Sequence, residues 1–338
     1  EKYKKLQEEE KDLKLKISIL NTLNAKAQKD SLSSKISQLN NQVTVKSAEV
    51  NTHQVSIDQI KTEHASVLSA FEDAQKNFYS IGSEIARQLL DKKTIGKIKF
   101  GNAIFAFPGI QSYHPNPEPW SKKKGGGPVI DMGPYYLTAL VNLLGPAKEV
   151  TSISSKGVNN RTIGVGPKKG KKFKVKCPTT YFSTIKFHNG TIIRLTLSFD
   201  VISHLRNHIE LYGENGSMIV PDPNMFGGSV LISKKLGSTW KNHQTNKMSL
   251  GKINIRTQSS RANESPTNAN YRGVGLSEMI NSIQNNKTHR CNGNLSLHVL
   301  NIIEAIHLSA RNNKKQKISV KCEKPKPFSN KEIKLILK

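Results

Sequence analysis

The pattern of apolar positions divides the chain near residue 80. From Glu1 to Ile81 there is neither glycine nor proline, and so long a stretch without a breaker predicts a helix. From Ile36 the apolar residues recur at helical steps: Ile36, Leu39, Val43, Val50, Ile57, Ile60, Val67 and Phe71. An earlier register runs through Leu6, Leu13, Ile17, Leu20 and Ala27, and the phase slips between Ala27 and Leu32. Lys46, His53 and His64 interrupt the seam. The spacing predicts a coiled coil with defects over residues 1–77, and the β-branched residues at one seam position favour two strands.

Residues 78–97 read as a linking helix packed by Ile85, Leu89 and Leu90 and closed at Gly96. Ile98 to Phe107 alternates as a strand. A proline-fixed loop, Ser112 to Trp120, leads through Lys122-Lys123-Lys124 and Gly125-Gly126-Gly127 into an apolar helix over Asp131–Leu144, which Gly145-Pro146 stops. Strands follow at Glu149–Gly157, Thr184–Phe187, Thr191–Phe199, His208–Tyr212, Ser217–Val220, Val230–Ser233 and Lys317–Lys321, with hairpin turns at Asn189-Gly190 and Asn215-Gly216. Helices are expected at Leu276–Gln284 and Leu295–Ala310, the latter turning Leu297, Leu300, Ile303, Ile306 and Leu308 inward. Residues 241–270, rich in Asn, Ser, Thr and Lys, read as a long mobile loop. Residues 331–338 read as a basic tail, either a frayed strand or an exposed end. The fold class is therefore α+β. A long N-terminal coiled-coil helix precedes an open, mainly antiparallel sheet over 98–330 with helices on one face.

Composition adds three limits. No apolar run is long enough to span a bilayer and no signal-peptide pattern opens the chain, so no membrane partner is expected. Cys177, Cys291 and Cys322 are scattered without a CxxC pair; this suits a reducing, cytoplasmic setting and assigns no metal ligands. The net charge of +27 is uneven: residues 1–80 hold 12 Lys and 11 acidic residues, so almost all the excess lies beyond them. That excess permits nonspecific attraction to polyanions. Being mostly Lys, dispersed and accompanied by Asn and Ile, it also fits compositional drift.

The candidate chemistry centres on the glycine run and its helix. Asp131 and Tyr135 stand four residues apart on one helical face. Either Asp131 caps the helix and Tyr135 is half-buried, or the two form an acid/base pair at a substrate pocket. His114 either binds substrate near Asp131 or faces solvent. Lys124 and its lysine neighbours either meet an anionic substrate or are solvated. Gly164 to Lys172 resembles a phosphate cradle but has the spacing of neither a P-loop nor a dinucleotide turn, and reads as a basic loop. His298 and His307 read as packed or surface residues.

The run GGGPVIDMGPYYLTALVNLLGP, from Gly125 to Pro146, resembles the glycine-rich segment and helix of the Gfo/Idh/MocA oxidoreductases. The likeness continues through Val220-Pro221-Asp222-Pro223-Asn224-Met225-Phe226-Gly227-Gly228, Tyr271-Arg272-Gly273-Val274-Gly275 and Leu297-His298-Val299-Leu300. It spans about Phe78 to about Pro327, roughly three quarters of the chain. The resemblance implies NAD(P)-dependent hydride transfer to or from a sugar-like or cyclitol hydroxyl. Asp131 would orient the reacting group, Tyr135 would exchange its proton, and His114, Lys124 and Arg272 would contact substrate.

The family pattern also places a nucleotide-binding half, with a catalytic lysine in a Glu-Lys-Pro motif, ahead of this region. Residues 1–81 have no glycine for its phosphate turn, and the one Glu-Lys-Pro here, Glu323-Lys324-Pro325, follows the last expected strand. The expectation is an incomplete oxidoreductase domain that does not bind NAD or NADP alone. The alternative is a non-enzymatic homo-oligomer, paired through the coiled coil and using the sheet for binding or assembly.

Overall fold

The computed structural model describes residues 2–78, 81–122, 125–245, 249–252, 271 and 273–336, with the side chains at 59–78, 81, 249 and 330 outside that description. Helix α1 (Lys2–Phe78) is continuous, as a stretch without Gly or Pro allows. Every described side chain on it is exposed, the apolar seam from Leu6 to Ile57 included; Ile60, His64, Val67 and Phe71 lie outside the described side chains. The chain divides into two compact units, residues 1–64 and 65–338.

The second unit holds the sheet. Helix α2 (Ile81–Asp91) turns Ile85 and Ala86 inward and closes at Gly96, which sits at φ +74°. Strand β1 (Ile98–Ala106) is followed by a loop, a short helix α3 (Pro128–Asp131) and α4 (Gly133–Leu144). Strand β2 (Ala147–Ser155) precedes a two-stranded ribbon, β3 (Asn160–Thr162) and β4 (Lys172–Lys174). Strands β5 (Thr180–Phe187), β6 (Ile192–Ser198), β7 (Ile209–Gly213), β8 (Ser217–Val220), β9 (Ser229–Ser233) and β10 (Lys241–Gln244) come next. Helices α5 (Val274–Gln284) and α6 (Gly293–Asn312), strand β11 (Gln316–Lys317) and α7 (Asn330–Ile336) complete it.

Nine strands form one sheet in the order β10-β9-β8-β7-β1-β6-β5-β2-β11. Among the described residues its neighbours are antiparallel except β1 and β6. Alternation sorts the side chains by face. Ile185, Ile193, Leu195 and Leu211 are buried under the helices, while Phe100, Ile153, Phe182 and Ile192 lie exposed on the other side. This is the open α+β sheet that the hairpin signals predicted, with both Asn-Gly turns in place; Gly190 takes φ +91° and Gly216 φ +153°.

Four local expectations are corrected. The strand expected at 317–321 shrinks to β11, because Asn301 Oδ1 takes the N–H groups of Ser319 and Val320 and His298 takes the Val320 carbonyl. Residues 241–270 are not wholly loop: β10 and a 3-10 turn at Ser249–Gly251 lie there, and 246–248 and 253–270 fall outside the described residues. Helix α6 buries Leu295, His298, Val299, Ile302, Ile303 and Ile306, leaving Leu297 and Leu308 exposed.

His298 is tolerated in that core because Ala147 N–H donates to its Nε2 at 3.0 Å while Nδ1 meets the Val320 carbonyl at 2.6 Å. Burial lowers its pKa, so it packs as a neutral ring. The tail, finally, is helical. Ser329 and Glu332 form a capping box, with Ser329 N donating to Glu332 Oε2 at 2.8 Å and Glu332 N donating to Ser329 Oγ at 3.2 Å.

Candidate functional site

The loop after β1 folds back on itself. It runs through two 3-10 turns, Ile110–Ser112 and Glu118–Ser121. Gly127 N–H then donates to the Trp120 carbonyl at 2.8 Å. A Cβ on Gly126 would lie 2.6 Å from the Lys122 carbonyl oxygen and 2.8 Å from that of Trp120, and Gly127 takes φ +96°. Only glycine closes this turn without displacing backbone.

The closure brings Trp120 to Asp131, the indole Nε1 donating to Oδ1 at 3.0 Å. The His114 ring lies 4.9 Å from the Trp120 ring, and its Nδ1 accepts from Asn116 N at 3.0 Å, so the neutral ring carries its proton on Nε2. Tyr113 is pushed up to about 12, first by desolvation and then by the Asp131 charge. His114, Trp120, Tyr113 and Asp131 thus form one cluster.

Asp131 does not cap the long helix. Pro128 opens the four-residue α3, in which Asp131 is last; the backbone breaks at Met132 and restarts at Gly133-Pro134 with no side-chain cap. The carboxylate is instead held by the indole. Tyr135 follows on α4, half-buried and packed on the core's edge. Lys124 and Arg272 lie outside the described residues.

Sequence reasoning missed the neighbouring residue. Tyr136 is fully buried, and its hydroxyl lies 2.8 Å from His208 Nδ1 and 3.1 Å from Asp222 Oδ1. A phenol has one proton to give. With that proton on Asp222, His208 Nδ1–H donates to the phenol oxygen. Burial first, then the Asp222 charge and hydrogen bond, raise the Tyr136 pKa well above its ordinary value. The one local signal was the Asp222-Pro223-Asn224 turn, where Asn224 N donates back to Asp222 Oδ1 at 3.0 Å. Nothing local ties that turn to a tyrosine 86 positions earlier.

Two sequence resemblances are set aside. Gly164 to Lys172 joins β3 to β4 with no helix after it, so it is neither a P-loop nor a dinucleotide turn. Lys324 Nζ donates to Asp91 Oδ1 at 3.1 Å, beside Gly145 at the far end of α4. Tyr135 lies at the start of that helix, about 14 Å away along its axis. Lys324 therefore does not supply a charge to Tyr135.

Residues 84–219 match the family described as the GFO/IDH/MocA C-terminal domain. That match covers β1, the glycine loop, Asp131, Tyr135 and the strands to β8. No curated protein matches the chain. Among solved structures it is similar to a Klebsiella pneumoniae NAD binding oxidoreductase, at 16% identity and TM-score 0.56 over 72% of this chain and 65% of that one. It is similar also to levoglucosan dehydrogenase in complex with NADH and L-sorbose, at 16% identity and TM-score 0.55 over 74% and 66%. A third likeness is to an Agrobacterium radiobacter oxidoreductase in complex with NAD+, L-tartaric acid and magnesium, at 16% and 0.52 over 72% and 64%. These likenesses establish the fold, and the chain spans less than two thirds of the length of each. No described helix is long and apolar enough to cross a membrane.

Proposed function

We propose that the GFO/IDH/MocA-like region is the substrate domain of an oxidoreductase acting on a hydroxyl of a sugar-like or cyclitol molecule. The observation that carries this reading is the Trp120–Asp131 hydrogen bond, which fixes a carboxylate beside the glycine turn, four residues before Tyr135 in the chain. In this reading Asp131 accepts a hydrogen bond from the substrate and orients its reacting carbon. Tyr135 gives and takes the hydroxyl proton, and His114 and Trp120 form a flat apolar and polar wall against the ring.

A nicotinamide dinucleotide would supply the hydride in family chemistry. The described residues do not fit it. A dinucleotide cradle needs consecutive parallel strands with a glycine turn into a helix. Here one pair of strands is parallel, and among the described residues no strand precedes Ile98. The domain's own work is to bind and orient substrate and to hold a proton at the Tyr135 oxygen.

The test is equilibrium binding of L-sorbose, the sugar named for one structural neighbour, and of a panel of neutral polyols, by calorimetry on the full chain. At least one should bind, and Asp131→Asn should weaken it by about tenfold, since a hydrogen bond to a charged acceptor is worth roughly 1.5–3 kcal/mol. Binding that ignores Asp131→Asn would remove the assignment.

A second reading concerns assembly. Ile36, Leu39, Val43, Val50 and Ile57 are each at least 44% exposed on α1, an apolar stripe at seam spacing with no cover in one chain. We infer that a second copy covers it, leaving the sheet free for binding. Sedimentation should show a dimer that Val43→Asn with Val50→Asn converts to monomer; a monomeric parent chain would exclude this.

A further inference from the structure

We propose that the β3–β4 ribbon is an anion-binding rim of the Asp131 cluster, so that the substrate is a sugar or polyol carrying a terminal phosphate. This rests on the substrate-domain reading above and narrows it.

The ribbon carries lysine charge that no carboxylate among the described residues pairs with. Residues 150–199 contain no Asp or Glu, whereas residues 156–176 hold seven lysines and Arg161. Glu149, before this stretch, lies 3.3 Å from Lys315 Nζ, and Asp200, the next acid after it, is already committed. Its carboxylate accepts from Arg161 Nη2 at 2.6 Å, Thr179 Oγ1 at 2.6 Å and Thr180 Oγ1 at 2.7 Å. Among the described residues none of the seven lysines has a carboxylate within ion-pair distance. Like charges on one short ribbon repel one another, and salt screens that repulsion only beyond about 8 Å at physiological strength. A bound anion would relieve that repulsion.

The ribbon is fastened to the loop that builds the site. Gly164 N–H donates to the Gln111 carbonyl at 2.9 Å, Arg161 Nη1 to the Pro108 carbonyl at 2.6 Å, and Lys176 N–H to the Ser121 carbonyl at 2.8 Å. Lys168 Nζ donates to Asn116 Oδ1 at 3.3 Å, and the same Asn116 holds His114 through its backbone N–H. Lys168 is therefore one residue removed from His114. Lys176 enters beside Ser121, next to Trp120 and the exposed Lys122. The Lys168 ammonium thus meets the loop directly and the backbone of Lys176 is tied to it, while the loop itself carries one further carboxylate, Glu118, besides Asp131. A ligand with its hydroxyl at Asp131 would present a terminal phosphate to Lys168 and Lys176. A phosphate accepts from several point-charge donors at once, which suits separated lysines.

The experiment titrates the full chain with inorganic phosphate and with a neutral polyol by calorimetry, at low and at high salt. Three proteins are compared: the parent, Lys168→Gln with Lys176→Gln, and a charge-matched control, Lys186→Gln with Lys241→Gln, away from the ribbon. Phosphate should bind the parent and the control alike and the ribbon variant about tenfold more weakly. Neutral-polyol binding should be unchanged throughout. An equal loss in both variants would overturn the inference in favour of net charge alone, as would no phosphate binding to the parent. So would an RNA homopolymer that displaces phosphate from the ribbon far more strongly than free phosphate does, since that partner is a nucleic acid. If neutral polyol still depends on Asp131 while phosphate ignores Lys168 and Lys176, the rim fails and the substrate-domain reading stands. The reverse result separates them the other way.

Discussion

Arg290→Ala should lower the unfolding free energy by about 3–5 kcal/mol, the cost of removing one partner from a buried ion pair. Arg290 Nη1 donates to Glu278 Oε1 at 2.6 Å, and the Glu278 side chain is 3% exposed. The same guanidinium donates to the carbonyls of Lys326 and Pro327, reaches Glu332 Oε1 at 2.8 Å and lies 3.9 Å over the Phe328 ring. One side chain thus joins α5, the segment before α7, and α7 itself. Alanine keeps the backbone N–H to Glu278 but leaves that carboxylate buried without its guanidinium. Chemical denaturation checks it, and a loss below about 1 kcal/mol would mean that the pair is solvated in practice.

The same contacts carry a pH signature. Burial alone would raise Glu332, but hydrogen bonds from Ser329 and Arg290, and the Arg290 charge, hold it at about 2. Its pKa is thus lower folded than unfolded, so its contribution is fully present above the ordinary carboxylate range near 4.5 and disappears as pH falls through about 2. The gap between parent and Arg290→Ala should therefore narrow over that window. Glu84 acts in the opposite sense. Desolvation raises it despite hydrogen bonds from Phe328 N–H and Gln88, so its contribution is largest at acid pH and falls as pH rises through the raised value.

What could be read in advance follows the range of each interaction. The long helix, the hairpins and the glycine loop are written in neighbouring residues: absent breakers, Asn-Gly pairs, a triple glycine before a proline. Asp131 and Tyr135 stood out because they are four residues apart in an apolar stretch, but the break at Met132, which puts them on α3 and α4, was not legible. Nor was the Trp120 contact, since it depends on how a loop closes over Gly126. Tyr136, His208 and Asp222 meet through the packing of α4 on the sheet, and no local pattern announces that. His298 read as a bystander because its two partners, Ala147 and Val320, come from separate parts of the chain. The tail, read as a frayed strand or an exposed end, had its helix signal in plain view, Ser329-x-x-Glu332, obscured by the lysines around it.

The sharpest test of the site contrasts two adjacent tyrosines. In any assay in which the domain turns over a polyol, Tyr135→Phe should lower kcat by about 10²–10⁴, the usual worth of a positioned acid or base, with little change in Tm. Tyr136→Phe should do the reverse. Its hydroxyl lies between His208 and Asp222, and removing it takes a donor from the largely buried Asp222 carboxylate at a cost of about 1–3 kcal/mol, while the partly exposed His208 can turn to solvent. Turnover per folded molecule should be nearly preserved, because Tyr136, raised far above the working pH, stays protonated and is fully enclosed. The helix itself enforces this division. Successive residues on it diverge by about 100°, so one phenol meets the core while the next lies at its edge. If Tyr136→Phe silences turnover in a protein that melts normally, the proton route runs through His208 and Asp222, and the role given to Tyr135 passes to its neighbour.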